Sequence, residues 1–66
     1  MDNRVKELRT AAGMRQEDLA RRVAVSRQTI ISIETGRYNP SLELAWRLSR
    51  ELSVHIEQLF LFEEDD

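Results

Sequence analysis

The stretch "SRQTIISIETGRYN", Ser26 to Asn39, gathers side chains suited to recognition chemistry. Arg27 can donate two parallel hydrogen bonds to a guanine edge. The Gln28 carboxamide donates and accepts, as an adenine edge requires, and the Ser32 hydroxyl can do either. Ile31 lies among them and could pack on a thymine methyl. At helical spacing, Ile30 and Ile33 fall on the opposite arc with Ser26 and Thr29. One face therefore binds the helix to its own domain and the other is left for another environment. A solvated face carries Glu and Lys more often than neutral hydrogen-bonders, but a stray aliphatic on a surface is ordinary, so a solvated face is the competing reading.

The flanking residues place this stretch on a short helix with a defined start and stop. Ser26 can cap it by accepting from the Thr29 N–H, and Gly36 ends it, which puts the helix at about 27–35. An earlier helix is expected over about 16–23, with Leu19, Ala20 and Val23 inward and Glu17 and Asp18 in its first turn, where the helix dipole favours acids. Only Ala24 and Val25 separate it from Ser26. Two helices joined so tightly cross steeply, and the second stands proud of the domain. Such a helix fits the major groove of B-DNA while its predecessor crosses the backbone.

The rest of the chain reads as helical too. Asn3 could cap a first helix with Val5, Leu8 and Ala12 on one face, closed by Gly13. After the loop "RYNP", Pro40 and Ser41 open a fourth helix with Leu42, Ala45, Leu48 and Leu52 as its inner stripe. Val54 leads into a short fifth helix, "IEQLF". The expected fold is all-α, a five-helix bundle in a single domain over 1–66, with a pairing of the chain ends only weakly signalled.

Composition bounds the partners. The net charge is −2, but all ten Lys and Arg lie within residues 1–50 alongside six acids, a local balance of 10 − 6 = +4. Residues 51–66 carry six acids and no Lys or Arg, a balance of −6. A basic body with an acidic end suits nucleic acid better than the sum suggests. There is no cysteine and one histidine, His55, so neither a disulfide nor a zinc site is expected, and no cofactor. His55 reads as a surface cap or first-turn residue. No Gly-rich phosphate loop and no nucleophile–base spacing suggest an enzyme. No apolar run is long enough for a membrane span and no signal segment is expected, so the chain reads as cytoplasmic.

The run "MRQEDLARRVAVSRQTIISIETGRYNPSLELAWRLSRELSVHIEQLF" resembles the Cro/C1-type (lambda-repressor-like) helix-turn-helix family of bacterial and phage regulators. The features that carry it are a Gln opening helix two, "LA" inside it, "VSRQTI", the "E-x-G-R" exit and "NPSLELA". The resemblance implies a regulator of transcription that reads double-stranded DNA, most simply a dimeric repressor on a palindromic operator. By position, Gln16 matches a phosphate-clamping glutamine, Arg27, Gln28 and Ser32 match base-reading positions, and Arg37, Tyr38 and Asn39 match a backbone-gripping loop. Arg9 and Glu34 match a structural salt bridge between helices one and three. Arg15 and Arg21 are supplementary phosphate candidates. The family often has Gly where this chain has Ala24 and Ser53, and Ser where it has His55. If Ala24 needs positive φ, it costs about 1 kcal/mol.

A chain of this length has a marginal core, and a partner chain is one remedy. "LFLF", Leu59 to Phe62, and Trp46 offer more apolar surface than so small a bundle can cover. Leu59 and Phe60 are expected to finish the core. Trp46, Leu61 and Phe62 are the expected dimer interface. The tail "EEDD" reads as a solvated end. A protein-interaction module that does not read DNA is the second functional reading, and no small-molecule ligand is evident.

Overall fold

The computed structural model describes residues 1–62. The "EEDD" tail, and with it the expectation of a solvated acidic end, lies outside the described residues. The order is β1 (Asp2–Asn3), α1 (Val5–Ala11), α2 (Gln16–Arg22), α3 (Arg27–Glu34), α4 (Leu42–Glu51), α5 (Ile56–Leu59) and β2 (Phe60–Leu61). The five helices surround one core, and β1 and β2 pair antiparallel with Asp2 opposite Leu61 and Asn3 opposite Phe60. The chain ends do pair, then, and Phe60 belongs to a strand rather than to the fifth helix.

Seven side chains are sealed at the centre: Val5, Leu19, Val23, Ile30, Ile33, Leu48 and Leu59. Six come from the five helices and Val23 caps the end of α2, so no helix packs without its neighbours. Burying such a side chain stabilises by roughly 1.5–3 kcal/mol, which is how so short a chain offsets its ordering entropy. Phe60 closes the core from β2 at 2% exposure.

Capping follows the residue types. The Ser26 hydroxyl accepts from the Thr29 N–H at 3.1 Å, and the Ser41 hydroxyl accepts from Leu44 N–H at 3.2 Å. At α5 the His55 N–H donates to the Gln58 carboxamide oxygen at 2.8 Å, so His55 caps through its backbone and its ring stays at the surface. At the start of α1 the flanking residue is Arg4 rather than Asn3. Asn3 sits in β1, where its side chain accepts from the Val5 N–H at 3.1 Å and donates to the Ile33 carbonyl at 2.8 Å. One side chain thus satisfies the head of α1 and the tail of α3.

α1 to α4 all end in the same motif. The N–H of the second residue past the cap reaches back five residues and that of the first reaches back to the carbonyl after it. The pairs are Met14→Arg9 and Gly13→Thr10, Val25→Ala20 and Ala24→Arg21, Arg37→Ser32 and Gly36→Ile33, Val54→Ser49 and Ser53→Arg50. The motif demands a left-handed residue at its centre, and there φ is 73° at Gly13, 61° at Ala24, 79° at Gly36 and 58° at Ser53. Ala24 and Ser53 therefore carry the strain that glycine avoids.

Two inward assignments are corrected. Ala12 lies past the end of α1 and is exposed; Arg9, one turn after Val5, takes the buried position. On α4, Leu42 is 78% exposed and Leu44 is buried instead. Leu44 stands one and two turns before Leu48 and Leu52, whereas Leu42 begins the helix at the margin of that stripe.

Candidate nucleic-acid interface

The tight connection between α2 and α3 is the closing motif of α2 followed at once by the Ser26 cap. Val25 packs against the core beside it. This leaves no slack, so the angle between the two helices is fixed by backbone hydrogen bonds. α3 is held from inside by Ile30 and Ile33, both fully buried, and its outer face is presented to solvent.

On that outer face Arg27 and Gln28 are exposed at the first turn, and Ser32 is half-buried one turn after Gln28. Ile31 is half-buried rather than open, so it has less reach than Gln28. Ser26, Gln28, Thr29, Ser32 and Tyr38 line a shallow hollow of about 290 Å³. The loop after α3 is strapped to the same turn: the Ser32 carbonyl accepts from Arg37 N–H at 3.0 Å and from Tyr38 N–H at 3.2 Å. Arg37, Tyr38 and Asn39 are exposed on this loop, next to the α3 face.

Charge pairing separates the cations. Arg4 pairs with Glu7, Arg9 with Glu34, Arg15 with Glu17 and Asp18, Arg22 with Glu51, and Arg47 with Glu43. Among the described residues, Lys6, Arg21, Arg27, Arg37 and Arg50 make no ion pair; Arg50 lies over the Trp46 ring, 5.5 Å from its centroid. Arg15 is engaged closely. Its backbone N–H and guanidinium both donate to Asp18, at 2.9 and 3.2 Å, and hold that carboxyl below its usual value. Its charge is less available than that of Arg21.

Gln16, the first residue of α2, is half-buried. Its Nε2 donates to Glu34 Oε1 at 3.1 Å. Glu34 accepts from Arg9 Nε at 2.6 Å and from Nη2 at 3.3 Å, while Arg9 Nη1 donates to the Met14 carbonyl at 2.8 Å. The bond from Gln16 had no signal in the sequence, since the pattern of one helix says nothing about polar partners on another.

A second exposed surface is apolar and adjoins the loop after α3, with Asn39 at its edge. Trp46 is 54% exposed and Phe62 58%, with Met1, Leu42 and Leu61 also open. Leu42, Pro40, Ile56 and Phe62 share an apolar hollow of about 230 Å³ with Met1.

A short two-helix unit whose second helix stands out with a polar face defines the class: a helix-turn-helix domain. A model of the family described as "Helix-turn-helix" matches residues 5–59, and the chain belongs to that family. It is similar to an HTH-type transcriptional regulator of Methanothermobacter thermautotrophicus, at 53% identity over 92% of this chain and 90% of the other. The HTH-type transcriptional regulator YgzD of Bacillus subtilis is 46% identical over the full length of both. Among solved structures, the restriction-modification controller protein C.AhdI of Aeromonas hydrophila superposes with a TM-score of 0.79, at 37% identity over 86% of each chain. The Cro/C1-type resemblance and the five-helix architecture therefore hold, and the fold is that of DNA-binding transcriptional regulators. No helix among the described residues is long and apolar enough to cross a membrane.

Proposed function

We propose that the protein is a sequence-specific regulator that lays α3 in the major groove of double-stranded DNA. The observation that carries this is the α3 face itself. It presents Arg27 and Gln28, with Arg37 on the strapped loop, and neither arginine has a carboxylate partner among the described residues. A face meant only for water would not keep its cations unpaired beside neutral hydrogen-bonders.

Arg27, Gln28 and Ser32 read base edges, and Ile31 packs on a thymine methyl with its open side. Gln16, Arg37, Tyr38, Asn39 and Arg21 contact phosphates and fix the register, with Arg15 a minor contributor. The apolar rim of Leu42, Trp46, Leu61 and Phe62 supports a two-fold homodimer, because a contiguous patch of this kind is unfavourable in water unless covered. A dimer sets two α3 helices about 34 Å apart, one turn of a palindromic operator, and occlusion of a promoter by that complex is repression. An intracellular location follows from such a target.

The test is a titration against DNA from the gene's own upstream region at several salt concentrations. The expected result is preference over scrambled DNA and a steep fall of affinity with salt. Equal affinity for the scrambled sequence, or none for either, would sink this reading.

A further inference from the structure

We infer that Glu34 is a positioning residue for the Gln16 amide, so that the buried ion pair at the end of α3 sets the phosphate-contacting group at the start of α2. The inference rests on the DNA-binding reading above. Taken alone, the Arg9–Glu34 pair looks purely structural, joining α1 to α3 with side chains only 9% and 4% exposed. The third partner changes that. Glu34 Oε1 accepts from Gln16 Nε2 at 3.1 Å, so the carboxylate serves α1 and α2 at once.

An ionised carboxylate can only accept. It therefore decides which end of the carboxamide faces inward: the NH₂, never the carbonyl. One of the two N–H groups is taken, and the other makes no further bond among the described residues. That second N–H is the donor a phosphate oxygen needs. An amide without the carboxylate would turn its carbonyl toward the phosphate as readily as its NH₂, and two acceptors repel. The carboxylate cannot swing away to release it. Arg9 holds it by Nε at 2.6 Å and Nη2 at 3.3 Å, and Arg9 is itself held by the Met14 carbonyl at 2.8 Å. The phosphate contact of α2 is thereby keyed to the last turn of the helix that reads bases, and its orientation is set before DNA arrives.

Two measurements on the full chain test this. The first is NMR of the Gln16 side-chain NH₂ in wild-type protein, free and with its upstream DNA. The expected signature is one exchange-protected proton in the free state, which stays in place on DNA while its geminal partner shifts. Equal, solvent-like exchange of both protons, or loss of the protected one on DNA, overturns the inference without any mutant.

The second is a double-mutant cycle in an Ala24→Gly/Ser53→Gly background, which relieves backbone strain. Gln16→Ala and Glu34→Gln should each weaken DNA binding about tenfold, the size of a charge-assisted hydrogen bond, with the pair together no worse. Gln16→Ala should leave the salt slope unchanged, because a neutral amide releases no counterion from the phosphate it meets. Arg9→Met removes the group that holds the carboxylate, so it should also weaken DNA binding where Gln16 is present and add no further loss to Gln16→Ala. Multiplicative losses in either cycle overturn the positioning role alone. Wild-type protein that binds no DNA overturns both this role and the reading beneath it.

Discussion

The outer face of α3 and the rim formed by α4 and the strands are both exposed, and each is wrong for water in an opposite way. The α3 face keeps unpaired cations and neutral hydrogen-bonders but no large open aliphatic. The rim opens Leu42, Trp46, Leu61, Phe62 and Met1 to solvent. Neither composition follows from folding, because the sealed core of seven side chains is complete without them. The difference assigns each face a different partner chemistry. One suits a polyanion with a varied polar edge; the other suits an apolar surface like itself.

The largest effect should come from breaking the rim. Leu42→Asp with Phe62→Asp places charge on residues 78% and 58% exposed, so helix content by circular dichroism should be unchanged. The protein should sediment as a monomer. Its affinity for a two-half-site DNA should fall by about 10²–10⁴, the gain that linking two binding modules gives. Monomeric wild-type protein, or a variant that binds as well, would show that the rim does not serve a second copy.

Mutations on the α3 face should leave the dimer intact and act on DNA alone. Gln28→Ala should cost about 1–3 kcal/mol and relax preference at one base pair. Arg37→Ala should weaken every sequence alike and lower the salt slope by about 0.9. If both variants changed affinity uniformly, with no altered base preference, the division between base reading and phosphate gripping would be broken.

How much of this division was legible depends on how local the cause is. Ser26 and Ser41 announce their caps, and Gly13 and Gly36 their left-handed turns, because each acts within a few residues of itself. The outward set Arg27, Gln28 and Ser32 follows from helical spacing once Ile30 and Ile33 are inward. Leu42 and Leu44 were separable by the same spacing: Leu44 stands one and two turns before Leu48 and Leu52, whereas Leu42 is a turn from Ala45 and off the line of Leu48. The Gln16–Glu34 bond and the double role of Asn3 join residues 18 and 30 apart, which periodicity cannot foresee. Half-burial of Ile31 is of the same kind.

A smaller effect should touch stability and neither face. Ala24 and Ser53 sit in the left-handed region at φ 61° and 58°, one at the turn into α3 and one at the turn out of α4. Replacing each with Gly removes about 1–2 kcal/mol of steric strain and returns part of it as unfolded-chain entropy. The net expected gain is roughly 0.5–1 kcal/mol per site by urea denaturation. DNA affinity and dimerisation should not move. A change in either would mean that the turns help set the faces as well as join them.

The smallest effect concerns a cation that sits near the interface yet is already neutralised. Arg15 holds the Asp18 carboxyl below its usual value, by a side-chain hydrogen bond first and the backbone N–H second. Because the folded value is the lower one, this contact contributes stability above the unfolded pKa and loses it as pH falls through the folded value. Asp18→Asn should therefore flatten the acid side of a plot of melting temperature against pH, and added salt should mask the difference because the pair is exposed. Arg15→Gln, which keeps the backbone N–H bond, should remove only the side-chain part of that feature while leaving the DNA salt slope almost unchanged. Arg21→Gln should do the reverse, lowering the slope while altering the acid limb only slightly, since Arg21 makes no ion pair among the described residues and is the least of the attractions that lower the Asp18 carboxyl. Equal loss of slope in the two variants would mean that phosphate displaces Asp18 from Arg15, and that the pairing seen in the free protein does not decide which arginines meet DNA.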